Sequence, residues 1–137
     1  MVTINYLAVL VAAVASMVIG MAWYSPFLFG KMWMQLSGIT EAKIKEAKKK
    51  GMAQSYVMAF VGSLVMSYVL AHFVQYAGAT DVMGGLMAGF WAWLGFIATV
   101  LLGSVLWEGK PVKLYVLNIA EYLVALLVMG AILAVWV

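Results

Sequence analysis

Four long apolar runs alternate with short polar segments along this chain, and that alternation predicts its architecture. The runs fall at 4–24, 52–76, 83–107 and 114–136. Each reaches the ~20 apolar residues that a helix needs to cross the hydrocarbon core of a bilayer. The expected fold is all-α: an integral membrane four-helix bundle, one membrane domain over 1–137.

Within the connecting segment 25–51 the pattern changes twice. The first run ends at Trp23-Tyr24-Ser25-Pro26. Proline disfavours helix in the residue before it yet suits the first position of a new helix, so Ser25 is read as an N-cap and Pro26 as a helix start. The stretch 27–36 is apolar and aromatic but too short to span. It is expected as an amphipathic helix lying in the interface and ended by Gly38. Thr40 then offers an N-cap to 41–50, a helix-prone stretch whose closing lysines complement the helix dipole. Gly51 separates or softens the join to the second span.

Charge orients this bundle. All eight basic residues are lysines. Lys31, Lys43, Lys45, Lys48, Lys49 and Lys50 lie between the first and second runs, and Lys110 and Lys113 between the third and fourth. The remaining connection carries Asp81 and no base. Short loops rich in lysine stay inside, so both basic segments, 25–51 included, are expected in the cytoplasm and both termini outside, in the plasma or inner membrane. The opening residues lack the basic region of a signal peptide, and the first run is read as a retained span. Trp23, Tyr24, Trp33, Tyr56, Trp107 and Tyr115 would form one interfacial aromatic belt, and Tyr6, Tyr76 and Trp136 the other.

Composition narrows the possible functions. The chain is 67% hydrophobic and 9% charged, with a mean hydropathy of +1.07, too apolar for a soluble domain. It has no cysteine, which excludes disulfides, thiolate metal sites and cysteine nucleophiles. The positive balance behind the net charge of +3 belongs to the loops. It points to the lipid bilayer as partner, with anionic headgroups at Lys43, Lys45, Lys48, Lys49 and Lys50, and not to nucleic acid.

Small residues form stripes: Ala8, Ala12, Ser16 and Gly20 in the first run, and Ser55, Ala59, Ser63, Ser67 and Ala71 in the second. Gly85 and Gly89, then Ala92, Thr99 and Gly103, follow in the third, with Gly130 and Ala134 in the fourth. Helices in lipid associate through close backbone approach, so these are packing faces, some of them expected to serve a homo-oligomer. The eleven methionines suit adaptable packing better than a copper path.

Candidate chemistry is sparse. Glu121 lies deep in the fourth run, where a charge costs ~2.5–3.5 kcal/mol on insertion scales. It shares a broad helix face with Asn118, Tyr122, Ala125 and Met129, and lysine stems are expected within its reach. Gly20, Ser63, Thr99 and Ser104 are expected at its depth. It is read either as an ion- or proton-coupling carboxylate or as a cross-helix hydrogen-bonding group. His72 is the only histidine; it is read as an interfacial polar residue, a haem ligand or a pH-sensing partner of Asp81. One histidine cannot build a zinc site. By helix rise it stands roughly 18 Å from the level of Glu121, too far for a dyad. No catalytic triad, paired carboxylate or phosphate loop is present. No catalytic residue, metal or cofactor is expected.

The run Trp23-Tyr24-Ser25-Pro26-Phe27-Leu28-Phe29-Gly30-Lys31-Met32-Trp33 resembles the hallmark of the domain of unknown function 1761 family. Gly89-Phe90-Trp91-Ala92-Trp93-Leu94-Gly95-Phe96, Leu106-Trp107-Glu108-Gly109-Lys110-Pro111, and Asn118 with Tyr122 and Met129-Gly130-Ala131 resemble it too. The resemblance covers nearly the whole chain. It implies a compact four-helix membrane protein and no activity. It also implies a small residue where Glu121 stands. Physically, Trp23, Tyr24, Ser25, Pro26, Phe29, Gly30, Lys31 and Trp33 read as an interfacial motif that anchors a helix end, turns the chain and seats the next helix. The same segment is alternatively read as lining a cytoplasmic vestibule beside Glu108 and Asn118.

Three functional readings follow. The first is small-solute or ion/proton-coupled transport or permeation along a path of Glu121, Asn118, Tyr122, Ser63, Thr99 and His72. The alternative is a structural or accessory membrane subunit without a pathway. The third is a membrane-embedded cofactor-binding protein or enzyme. A continuous polar cavity favours the first and a packed interior the second.

Overall fold

A computed structural model describes residues 3–136; Met1, Val2 and Val137 lie outside the described residues. The described chain is helical throughout. It runs α1 (Tyr6–Trp23), α2 (Gly30–Ser37), α3 (Glu41–Lys50) and α4 (Ala53–Tyr76). Then α5 (Val82–Trp93), a π-helical turn (Leu94–Ala98), α6 (Thr99–Leu101) and α7 (Gly103–Leu106) make one continuous span, and α8 (Val112–Val135) follows. Four helical stretches, Tyr6–Trp23, Ala53–Tyr76, Val82–Leu106 and Val112–Val135, are long and apolar enough to cross a membrane. They match the expected runs to within two residues at each end.

The caps explain most boundaries. Asn5 opens α1 by accepting hydrogen bonds from the N–H groups of Leu7 and Ala8 at 3.1 and 3.2 Å. Thr40 caps α3 through Lys43 N–H, and Asp81 caps α5 through Gly84 N–H at 2.8 Å. These side chains satisfy amides that have no partner in the first helical turn. Gly38 ends α2 in the left-handed conformation, which costs a residue without Cβ nothing.

Ser25 does not cap the next helix as expected. Its hydroxyl donates backward to the Ala22 carbonyl at 2.7 Å. The Ser25 carbonyl instead accepts from Leu28 and Gly30, and Trp23 O accepts from Phe29. Residues 26–29 therefore form a closed turn, and α2 starts at Gly30, later than the sequence suggests.

α8 is the central helix and packs on α1, α4 and α5. At one end of the bundle lie residue 3, Trp136 and the Ala77–Asp81 connection, the terminal end. At the other lie the two lysine-bearing connections, the basic end. The core belongs to the terminal end: Ala8, Ala12, Leu70, Ala71, Val74, Leu126, Met129, Leu133 and Ala134 are all buried there. Gly85 and Gly89 let α5 press directly on the backbone of α8. A Cβ at Gly89 would strike the Leu126 carbonyl, and one at Gly85 the Gly130 carbonyl. The small-residue stripes thus act here as close-contact faces. Polar pairs lock the same end: Thr3 exchanges two hydrogen bonds with the Gln75 side chain, Asn5 Nδ2 donates to Trp136 O at 3.3 Å, and Ser67 Oγ donates to Val9 O at 2.9 Å.

The basic end is built differently. α4 buries Ser67, Leu70, Ala71 and Val74 but nothing in its first fourteen residues. Val57 is 62% exposed where Val74 is fully buried. Ser55 and Ala59, expected as packing positions, are exposed. The basic half of α4 therefore stands off from the other three spans.

Candidate functional site

The stand-off of α4 opens a cleft of about 910 Å³ that all four spans line. Glu121 is in its wall and is only 6% exposed. The helix geometry of α8 puts Leu117, Glu121, Ala125 and Met129 on its buried side, so the carboxylate points toward the bundle. Gly20 of α1 lies opposite, and a Cβ built there would sit 3.4 Å from Glu121 Oε1. Glycine at that point leaves room beside the carboxylate.

Among the described residues no lysine pairs with Glu121. The ion pairs there are Lys50–Glu46 at 3.8 Å and Lys110–Glu108 at 3.9 Å, both on exposed side chains. The lysine stems expected around Glu121 do not reach it; Lys113, at the start of α8, is exposed. Nor does any side-chain donor among the described residues bond to it: Tyr24 donates elsewhere and Tyr122 lines the same cleft. A 94%-buried carboxylate facing a cavity without a cationic partner is the main chemical feature of the molecule.

Aromatic hydrogen bonds fix the α8 segment that carries it. Trp23 Nε1 donates to Leu117 O at 3.2 Å, and Tyr24 Oη donates to Asn118 Oδ1 at 2.8 Å. From the other side Trp93 Nε1 donates to Ile119 O at 2.7 Å, and Tyr115 Oη donates to Ala98 O. Three consecutive residues of α8 are thus held from two neighbouring spans, one turn before Glu121. The Ala98 carbonyl is at the end of the π-helical turn, where the wider winding changes the direction of backbone groups. Indole and phenol groups suit this role, since each buries an apolar ring and needs one polar partner.

The interfacial motif supplies this clamp. Trp23 packs on Phe29 with ring centroids 4.6 Å apart, and Tyr24 meets Trp33 edge-on at 5.8 Å. Gly30 is buried against the Tyr24 and Ser25 carbonyls, and a Cβ there would lie 2.8 Å from Ser25 O. The motif is therefore a turn that docks the end of α1 and the start of α2 on α8. Ser25 and Pro26 form part of the cleft rim. Lys31 is exposed on α2 and lines a separate surface pocket with Gly38 and Glu41.

Of the expected polar path, the structure brings together Glu121, Tyr122 and Ser63 at the cleft. Asn118 is one turn away and engaged by Tyr24. Thr99 is not in the cleft: it is exposed, and its hydroxyl donates to Gly95 O at 2.6 Å within its own span. Ser104 lines a shallow pocket with Trp107 and Glu108 instead. His72 is on the terminal half of α4, where its Nδ1 donates to Tyr68 O at 2.9 Å and its ring lies between Tyr68 and Tyr76. Asp81 is occupied in capping α5, so the two make no pair. Among the described residues no group of three metal-ligating side chains forms.

Residues 7–134 match the family described as protein of unknown function (DUF1761). The chain belongs to this family. It is a multi-pass membrane protein by its four spans, and the DUF1761 match covers every residue of the cleft. No curated protein and no solved structure matches the chain.

Sequence reasoning missed the two indole bonds and the cleft itself. Trp93 carried a signal, since it lies too deep in its span for an interfacial belt; its depth fits a tryptophan that serves another helix. The π-helical turn left little mark, because Leu94-Gly95-Phe96-Ile97-Ala98 is as apolar as its surroundings.

Proposed function

We propose that this protein moves a small solute or ion across the membrane, with Glu121 as the recognising group and the cleft as its binding chamber. The observation that carries this reading is the buried, cation-free carboxylate facing a cavity that four spans share. A carboxylate at that depth is costly, and a service to a ligand offsets a cost that packing alone does not explain. A volume of about 910 Å³ falls in the roughly 300–1,000 Å³ range of small-molecule sites. The terminal end is closed by Ala8, Ala12, Val74 and Met129. In this reading passage requires the terminal contacts to part. Thr99 and His72 are left out of the path.

In this reading the lysine-bearing connections face the cytoplasm and the termini face outward, because short basic loops resist translocation. The exposed helix α3 lies against anionic headgroups through Lys43, Lys45, Lys48, Lys49 and Lys50. Ser55, unburied and outside the cleft, supplies a contact with a second copy. No catalysis is assigned.

The test is flux in proteoliposomes, read as charge movement while amines, amino acids and inorganic cations are presented in turn under a proton gradient. Wild type should carry at least one of them, and Glu121→Gln should abolish the current while keeping the fold. Wild type with no flux of any solute would favour the runner-up, an accessory subunit without a pathway. The packed terminal half is the observation behind that alternative.

A further inference from the structure

The cleft does not end at Glu121. A second groove of about 340 Å³ runs on between α4 and the third span, and it shares Met66, Phe96 and Ile97 with the cleft. Its remaining wall is Val69, Leu70, Phe73, Ala92 and Leu126, every one apolar. A single acidic point therefore adjoins an open apolar groove, and among the described residues no cationic side chain lines either space.

We infer that the ligand of this site is a lipophilic organic cation, its positive centre beside Glu121 and its apolar substituents reaching into the Met66–Phe96 groove. The inference rests on the transport reading for its setting but concerns ligand class alone. Three features of the site exclude other classes. An anion would meet an unpaired buried carboxylate and no compensating positive charge, an unfavourable pairing in a low-dielectric site. A divalent metal cation is held by several carboxylate or carbonyl oxygens, whereas among the described residues Glu121 is the only carboxylate on the cleft and the other side-chain oxygens there are Ser and Tyr hydroxyls. A neutral apolar molecule would leave the carboxylate without a partner, as it is in the free protein. An organic cation instead exchanges little hydration for a carboxylate and aromatic faces. Those faces are present: Tyr24, Tyr56, Tyr122 and Phe96 all line the cleft. Gly20 keeps the space beside Oε1 free of a side chain.

The probes are tetraphenylphosphonium and tetraphenylborate, alike in shape and opposite in charge, measured by equilibrium binding to the full chain in nanodiscs with protein-free nanodiscs subtracted. Tetraphenylphosphonium should bind at least tenfold tighter than tetraphenylborate. Glu121→Gln should remove at least tenfold of that affinity, with the melting curve showing that the variant is folded. Phe96→Ala should weaken binding about threefold through loss of the groove wall. Equal binding of the two probes, or unchanged affinity in a folded Glu121→Gln, would overturn the inference, and unchanged affinity in Phe96→Ala would overturn the placement of the apolar substituents. Should Glu121→Gln fail to fold, the shape-matched, oppositely charged pair on the wild type decides alone. Charge-selective binding without any flux would sink transport and leave the ligand class standing. Glu121-dependent flux of a different solute, with no phosphonium binding, would do the reverse.

Discussion

The two ends of this bundle solve the same problem with different side chains. At the terminal end, α1, α4 and α8 bury Ala8, Ala12, Ala71 and Ala134 among Leu70, Val74, Met129 and Leu133, and α5 presses its backbone on α8 at Gly85 and Gly89. At the basic end the helices are held by Trp23, Tyr24, Trp93 and Tyr115, whose rings span the distance and whose N–H and O–H groups reach helix carbonyls or Asn118. The first arrangement fills the centre of the bundle and leaves only the apolar groove between α4 and the third span, whereas the second fixes α8 from two sides and lets the basic half of α4 stand off. Small residues close a bundle and aromatic hydrogen bonds brace an open one. Glu121 sits on the braced side of that boundary.

The sharpest way to break this contrast is at the glycine crossing. Gly89→Leu forces a side chain into the Leu126 carbonyl, and should cost about 3 kcal/mol or more, the upper range for overpacking. Unfolding in mixed micelles by added denaturing detergent reads this directly, and a loss under about 1 kcal/mol would show that α5 and α8 are not in backbone contact.

A paired substitution on one helix compares the two ends. Ala71→Leu fills a buried terminal position, while Ala59→Leu lies on the same four-residue stripe in the open half. The first should destabilise by about 2 kcal/mol and the second by less than about 0.5 kcal/mol. Equal losses would mean that the basic half of α4 packs on a partner.

Smaller effects are expected at the brace. Tyr24→Phe removes one hydrogen bond to Asn118 and should cost about 0.6–1 kcal/mol, as cross-helix bonds in membranes do. Thr99→Val loses only a bond within its own helix and should change stability by about 0.5 kcal/mol or less. The order Tyr24 above Thr99 separates a bond that joins two helices from one that does not.

The spans were legible because burial in lipid writes itself into ~20-residue runs with little ambiguity. The cap at Thr40 and the stop at Gly38 were legible because each follows from one side chain or one positive φ. The cleft was not. The stripe from Ser55 to Ala71 has the same chemistry along its whole length, and only tertiary packing decides that Ser67 and Ala71 are covered while Ser55 and Ala59 are not. Thr99 illustrates the same limit: its place in the sequence suggested a polar path, but its hydroxyl finds a carbonyl one turn back in its own helix. Glu121 and Ser63 were found from sequence because polar groups in an apolar run are few, and the structure brings both to one cavity.

Cysteine accessibility tests the division of the bundle most directly, since the chain has no cysteine of its own. Single cysteines at Gly20, Ser63, Ser67 and Ala71 would be exposed to a small charged thiol reagent in nanodiscs and the modification rates compared. The cleft residues Gly20 and Ser63 should react at least tenfold faster than Ser67 and Ala71, and a lipophilic cation should slow only the first pair. Four similar rates, or faster modification at Ser67 and Ala71, would contradict a bundle closed at its terminal end and open beside Glu121.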